Sequence, residues 1–300
     1  MRTTDWLLLV VLSVLWGATF FFVAVALQDL PPLTLVLARV ALAALMLAPV
    51  VRILGLAWPS RLATWRAYAV LAVFNNVLPF SLIFYGQTRI ASAVAGVLNA
   101  TTPLFTLIVA RLFAGEPLSP AKVCGVLIGI LGVGVLMGLD VASADASTTI
   151  GMLCVLGAAA SYGLATLWMR RLKELPPLVS AEAQLVCSTL MLLPLSAVVD
   201  RFWELPMPGP TAMAAVLGLA AFSTALGYIV FFRLNASAGP TNVMLVTLLI
   251  PVTATGLGAL VLGERLALNQ ILGALIIASA LVVIDGRLIG WLLRLRPTVA

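Results

Sequence analysis

Residues 103–118 read PLFTLIVARLFAGEPL, and residues 251–266 read PVTATGLGALVLGERL. Each stretch opens on proline, runs apolar, and closes on Gly-Glu-x-Leu. A shift of 148 residues lays Pro103 on Pro251, Leu112 on Leu260, Gly115-Glu116 on Gly263-Glu264 and Leu118 on Leu266. The same shift carries Gly125, Leu127 and Ile128 onto Gly273, Leu275 and Ile276. Nearer the N-terminus a shift of 145 lays Leu45-Met46-Leu47-Ala48-Pro49 on Leu190-Met191-Leu192-Leu193-Pro194, and a shift of 146 lays Trp16-Gly17 on Tyr162-Gly163. A repeated glycine, acid and proline at fixed spacing are more than two leucine-rich segments share by accident. The chain is two copies of one unit.

The composition says what solvent surrounds those units. Of the 300 residues 63% are hydrophobic and only 9% charged, and the mean hydropathy is +1.17; a soluble domain carries about 25% charged residues. So few charges cannot cover a surface that faces water, so lipid is the solvent. A spanning helix needs ~20 apolar residues, and ten such stretches are legible, at about 6–27, 32–54, 65–86, 91–113, 119–138, 150–171, 177–199, 211–233, 241–262 and 267–288. They lack the period-2 alternation of a barrel. The expectation is an all-α integral membrane protein, with every backbone group satisfied inside its own helix. The first apolar run extends past Phe20 without a small-x-small cleavage site, so it reads as a retained helix rather than a leader.

Five helices per unit is an odd number, so the second copy enters the membrane in the opposite sense to the first. The expected architecture is therefore ten transmembrane helices as two inverted five-helix repeats, spanning 1–139 and 150–300, joined by a polar linker at 140–149. With both termini cytoplasmic, the inner side collects Arg2, Arg52, Arg61, Arg66, Arg111, Lys122, Arg170, Arg171, Lys173, Arg233, Arg287, Arg294 and Arg296. The outer side keeps Arg89, Arg201 and Arg265. That asymmetry orients a multi-pass protein of a bacterial-type inner (plasma) membrane. Because the basic residues partition by loop, the net charge of +6 gives no nucleic-acid patch. Trp6, Trp58, Trp65, Trp203 and Trp291 fall at span ends as interfacial anchors.

Several function classes drop out. The chain has no histidine, which removes HExxH zinc sites and a Ser-His dyad. It has no phosphate-cradling glycine loop, which argues against an ATP-driven pump and against a nucleotide cofactor. It lacks the pair of in-span aspartates that an intramembrane aspartyl protease uses. Cys124, Cys154 and Cys187 match no metal or redox spacing and read as small buried hydrophobes. An enzyme, a metal site and a cofactor are not expected.

The segment from Ala93 to Thr106 (AVAGVLNATTPLFT) with Gly115-Glu-Pro-Leu, its echo in Pro251 and Gly263-Glu-Arg-Leu, and Trp16-Gly17 together resemble the signature of the EamA domain, once per half. EamA domains define the ten-helix branch of the drug/metabolite transporter superfamily, within which the chain is most similar to the aromatic amino-acid exporter group called YddG. The resemblance implies a basket with helices 3, 4, 8 and 9 around a central cavity, and metabolite efflux. The expected function is a secondary transporter exporting small neutral metabolites, aromatic or hydrophobic amino acids, working as a monomer in the lipid bilayer. A same-fold transporter for a drug or nucleotide sugar stays open.

In-span polar and aromatic residues are the candidates for contact with such a solute, because unpaired polar groups in hydrocarbon are costly. They are Asn75, Asn76 and Tyr85 on helix 3; Asn99 and Thr102 on helix 4; Ser223 and Tyr228 on helix 8; and Thr247 on helix 9, with Trp16, Tyr162 and Trp168 as aromatic platforms. Pro79, Pro103 and Pro251 are candidate hinges. Two charges fall within spans, Arg39 and Glu182, and both are expected to snorkel or make structural contacts. Glu116 and Glu264 read as repeat-equivalent loop anchors. The Gly125, Gly129, Gly132 stripe expects a close helix neighbour, helix 10 above others.

Overall fold

The computed structural model describes residues 2–138, 145–170, 172, 175–243 and 245–285. Arg171, Lys173, Arg287, Trp291, Arg294, Arg296 and residues 140–144 of the linker lie outside the described residues. Ten apolar helices run through the rest: α1 (Thr3–Ala26), α2 (Pro32–Ile53), α3 (Leu62–Gln87), α4 (Ser92–Ala114), α5 (Pro120–Met137), α6 (Ala146–Met169), α7 (Pro177–Val199), α8 (Pro210–Ala238), α9 (Val246–Val261) and α10 (Leu268–Asp285). Proline sits in the first turn of α2, α5, α7 and α8, where its missing N–H costs nothing and its fixed φ suits a helix start. Nine of the helices are long enough to cross a bilayer unaided. The ninth span is shorter than its sequence suggests, because a separate turn at Pro240–Val243 precedes α9. Helix α4 is likewise interrupted, at Ala100 and Thr101, just before Pro103.

The packing repeats the sequence duplication. Helix α2 packs on α7, α5 on α10 and α4 on α9, each helix meeting its own counterpart. The remaining large contacts come as matched pairs: α1 on α9 with α6 on α4, α1 on α8 with α6 on α3, and α2 on α8 with α7 on α3. Such self-complementary pairing follows from a two-fold relation between the halves. Cross-links at the loops agree with alternating spans. Asp29 accepts from Gly209 N at 2.7 Å, Asp200 accepts from Thr34 N at 2.7 Å, and Asn269 Nδ2 donates to Leu136 O at 3.2 Å, all on the face where odd-numbered helices of the first half end.

Small residues set the closest approaches. A Cβ at Gly125 or Gly132 would meet α10, at Ile284 and Ile277, while one at Gly129 would strike Leu104 of α4. The stripe therefore serves two neighbours rather than one. Gly273 of α10 presses on Leu136 of α5, where an added Cβ would lie 2.4 Å from its Cβ and 2.6 Å from its backbone. Of the three cysteines only Cys187 is buried; Cys124 points outward from α5, because its neighbour Gly125 takes the inward position. Gly273→Leu should cost about 1–3 kcal/mol or more through overpacking, and lower the unfolding midpoint in detergent. Gly134→Ala, which meets nothing within 4 Å, should not. Equal midpoints would refute this packing.

Candidate functional site

Two helices widen to π geometry inside the bundle, at matching places. Val73–Val77 of α3 and Leu219–Leu226 of α8 are π-helical, and the 148-residue shift carries 73–77 onto 221–225. A π turn widens the backbone and is uncommon outside functional sites. Its loosened carbonyls must still be bonded in a dry interior. Ser161 Oγ of α6 donates to Phe74 O at 2.7 Å, and Thr224 Oγ1 donates to Leu219 O at 2.9 Å. Pro79 contributes to the first widening, since its ring crowds the carbonyl of Asn75 four residues earlier.

The widened turns present polar side chains to their neighbours. Asn75 Nδ2 donates to Gln184 Oε1 at 2.8 Å, and Asn76 Nδ2 donates to Ser188 Oγ at 3.0 Å, joining α3 to α7. Tyr228 OH of α8 reaches Asn76 Oδ1 at 3.4 Å, so three helices meet at one fully buried carboxamide. Next to this set stands Arg39. Snorkelling does not describe it: the side chain is 6% exposed, donates from Nε to Thr224 Oγ1 at 2.9 Å, and lies over the Phe80 ring with Cζ 3.8 Å from the centroid. Glu182 of α7 is also buried rather than snorkelling, and its Oε2 has no hydrogen-bond partner.

The other sequence candidates divide. Trp16 of α1 stacks on Phe231 of α8, with centroids 5.4 Å apart, and packs against Gly227, one residue before Tyr228. Tyr162 of α6 lies in the neighbourhood of Arg39 and Tyr228. Ser223 Oγ and Asn99 Oδ1 are buried with no hydrogen-bond partner among the described residues. Thr102 Oγ1 donates to Asn99 O at 2.7 Å, and Thr247 is half-buried on α9. Tyr85 is set apart from these: it is exposed on α3 beneath Arg89, whose guanidinium lies 4.5 Å from its ring. Trp168 also lies elsewhere, in a satellite cluster with Tyr68 and Leu71, where its Nε1 donates to Ala67 O at 3.0 Å. Gln184 and Ser188 were missed. Their signal was a polar stripe on α7, Ser180, Gln184 and Ser188, one turn apart in an apolar span. Two surface clefts, of about 560 Å³ beside Arg52 and Trp58 and about 450 Å³ beside Arg61 and Pro176, are lined by none of the residues of this buried set.

The fold and these contacts can now be set beside known proteins. The EamA-like transporter family matches residues 4–138 and again residues 149–285. The chain belongs to that family. It is 25% identical over 272 residues to the uncharacterized transporter YoaV of Bacillus subtilis (strain 168), covering 90% of this chain and 92% of that one. It is 25% identical over 291 residues to the "Probable amino-acid metabolite efflux pump" of Escherichia coli (strain K12), covering 94% of each. A crystal structure with 18% sequence identity superposes with a TM-score of 0.65 over 95% of this chain and 98% of that chain, and shares the fold. The chain is a multi-pass membrane transporter and not an enzyme.

The paired EamA motifs act at the helix ends. Gly115 and Gly263 take left-handed φ of 66° and 69°, which glycine adopts without steric cost. Each turn brings the next amide back onto the helix, Glu116 N to Ala110 O at 3.3 Å and Glu264 N to Gly258 O at 2.9 Å. The two carboxylates then differ. Glu264 accepts from Ser92 N at 2.8 Å, Ser92 Oγ at 2.9 Å and Ala93 N at 3.0 Å, capping the start of α4 from the other repeat. Glu116 pairs with Arg170 at a site where both side chains are more than two-fifths exposed. Glu264→Ala should therefore destabilise the protein by about 1.5–3 kcal/mol, and Glu116→Ala by about 0–1 kcal/mol. Thermal unfolding in one detergent checks both, and a larger loss at Glu116 would contradict the assignment.

Proposed function

We propose that this EamA-family chain is a secondary transporter that exports small neutral metabolites, aromatic and hydrophobic amino acids foremost, by alternating access of its two inverted repeats. One observation carries the reading: Asn75, Asn76, Gln184, Ser188 and Tyr228 form a hydrogen-bonded set at the widened turns of α3 and α8. Carboxamides and hydroxyls can bond either end of a zwitterion without adding charge, and Trp16 and Tyr162 supply ring faces for an apolar side chain. A relative named as an amino-acid metabolite efflux pump points the same way. In this reading Asn99, Thr102, Ser223 and Thr247 complete the solute path along α4, α8 and α9. Pro79, Pro103 and Pro251 absorb the bending as 1–139 rocks against 150–300 across the 140–149 linker. The transporter works as a monomer in the inner membrane with both termini cytoplasmic, the orientation that the basic loops favour.

Reconstituted protein should take up radiolabelled phenylalanine and tryptophan faster than empty vesicles do. Asn76→Leu leaves the Ser188 and Tyr228 hydroxyls without their partner and should slow uptake at least about tenfold, equivalent to about 1.4 kcal/mol. Leu127→Ala, at an outward position 63% exposed on α5, should not. Wild-type flux no faster than in empty vesicles would refute the amino-acid reading.

A further inference from the structure

The two widened turns correspond by the repeat alignment, and one of them has a charged side chain against it where the other has a neutral one. The 148-residue shift that relates α3 to α8 carries Asn76 onto Thr224 and Phe80 onto Tyr228. The 145-residue shift that relates α2 to α7 carries Arg39 onto Gln184. The contacts follow this mapping to within one residue. On one side Asn75, beside Asn76, bonds Gln184 of α7 at 2.8 Å; on the other, Arg39 of α2 bonds Thr224 at 2.9 Å. A neutral carboxamide in one repeat is replaced by a guanidinium in the other.

That guanidinium is held and unsatisfied. Phe80 lies against its face and Phe84 stands 5.8 Å away, which fixes its plane. Of the five N–H donors of an arginine, Nε uses one on Thr224, leaving four on Nη1 and Nη2 with no hydrogen bond among the described residues. No carboxylate pairs with it there either: the ion pairs are Arg170 with Glu116 and Arg201 with Glu204. The titratable groups nearest to it are the neutral hydroxyls of Tyr162 on α6 and Tyr228 on α8. Arginine stays protonated in proteins, so the charge persists. A buried charge without a counter-ion costs several kcal/mol, and two charged fork ends aimed away from their own anchor are the geometry that takes a carboxylate.

We propose that Arg39 binds the carboxylate of the transported solute, its Nη pair forming the cationic end of a site whose neutral end is the Asn75–Gln184 and Asn76–Ser188 carboxamide set. The solute class is a small aromatic carboxylate. The assignment rests on the transport reading above and deepens it. It accounts for the charge difference between the repeats: a zwitterion is itself unsymmetrical, and an arginine on one side with carboxamides on the other gives it a direction. It also separates Arg39 from a structural strut, whose removal would weaken the fold and all solutes alike.

The test uses full-length protein in proteoliposomes with three probes: tryptophan; indole-3-acetate, which keeps the carboxylate and lacks the amine; and tryptamine, which keeps the amine and lacks the carboxylate. Wild-type tryptophan uptake should be inhibited by indole-3-acetate and not by tryptamine. Arg39→Gln installs the residue of the matching position. It should raise the tryptophan KM by about tenfold or more and abolish inhibition by indole-3-acetate, while the ligand-free unfolding midpoint holds or rises. Arg39→Lys should restore part of the affinity. An unchanged KM in Arg39→Gln, or tryptamine competing as well as indole-3-acetate, would overturn the assignment. Where Arg39→Gln does not reach the membrane, the wild-type comparison of the two inhibitors decides alone. If wild-type protein moves indole-3-acetate in an Arg39-dependent way but not tryptophan, the amino-acid reading falls and the carboxylate assignment stands. If neither carboxylate is bound or moved, the assignment falls.

Discussion

No polar atom inside a bilayer can turn to water for a partner, and this restriction organises everything in the structure. It forces the backbone into helices and then governs each place where a helix departs from the α form. The π turn of α3 is tolerable because Ser161 reaches across from α6 to Phe74 O, and that of α8 because Thr224 bonds Leu219 O. The same demand pairs Asn75 with Gln184 and Asn76 with Ser188. Among the described residues it goes unmet at six buried side-chain atoms, and four of them, Ser81 Oγ, Gln87 Oε1, Glu182 Oε2 and Ser223 Oγ, lie on α3, α7 and α8, the helices that meet around the widened turns. Polar groups left wanting in a well-packed bundle mark where a solute has something to offer.

The duplication supplies a frame and its imperfections supply the chemistry. Helix pairing follows the two-fold relation throughout, and the left-handed glycines at 115 and 263 follow it to within 3°. Side chains depart from it. Glu264 is drawn in to cap α4, whereas Glu116 stays at the surface beside Arg170. The interruption of α4 falls at Ala100–Thr101, while that near α9 falls after Val243, four residues early by the repeat alignment. Arg39 stands where its counterpart is Gln184. Rocking between two states requires halves that are alike enough to exchange roles. Recognising one particular solute requires that they be unlike at the point of contact.

The frame was legible in the sequence because it depends on signals that are local or repeated. Gly-Glu-x-Leu, the prolines before it and the lengths of the apolar runs locate helices and their ends without reference to any partner. Asn75 and Asn76 were readable because two adjacent carboxamides in an apolar span are too costly to face lipid. The site was only half legible, because its other members are defined by what lies opposite. Tyr85 shares a helical face with Asn75 by spacing, yet the π turn between them rotates the register, and Tyr85 ends exposed beside Arg89. Arg39 read as a residue that would either reach for the membrane surface or make a contact inside; packing against Phe80 and Thr224 holds it inside. Gln184 and Ser188 carried a one-turn spacing that gains meaning only once α7 is known to lie against α3.

The claim on which the rest depends is that the second repeat enters the membrane in the opposite sense to the first. Single cysteines at Arg2, before α1, and at Ser147, at the start of α6, test it most directly in a chain whose three native cysteines are replaced by alanine. An impermeant maleimide applied to intact cells should label residue 147 at once and residue 2 only after the membrane is permeabilised. Labelling of both positions from the same side would mean parallel repeats and would contradict the account.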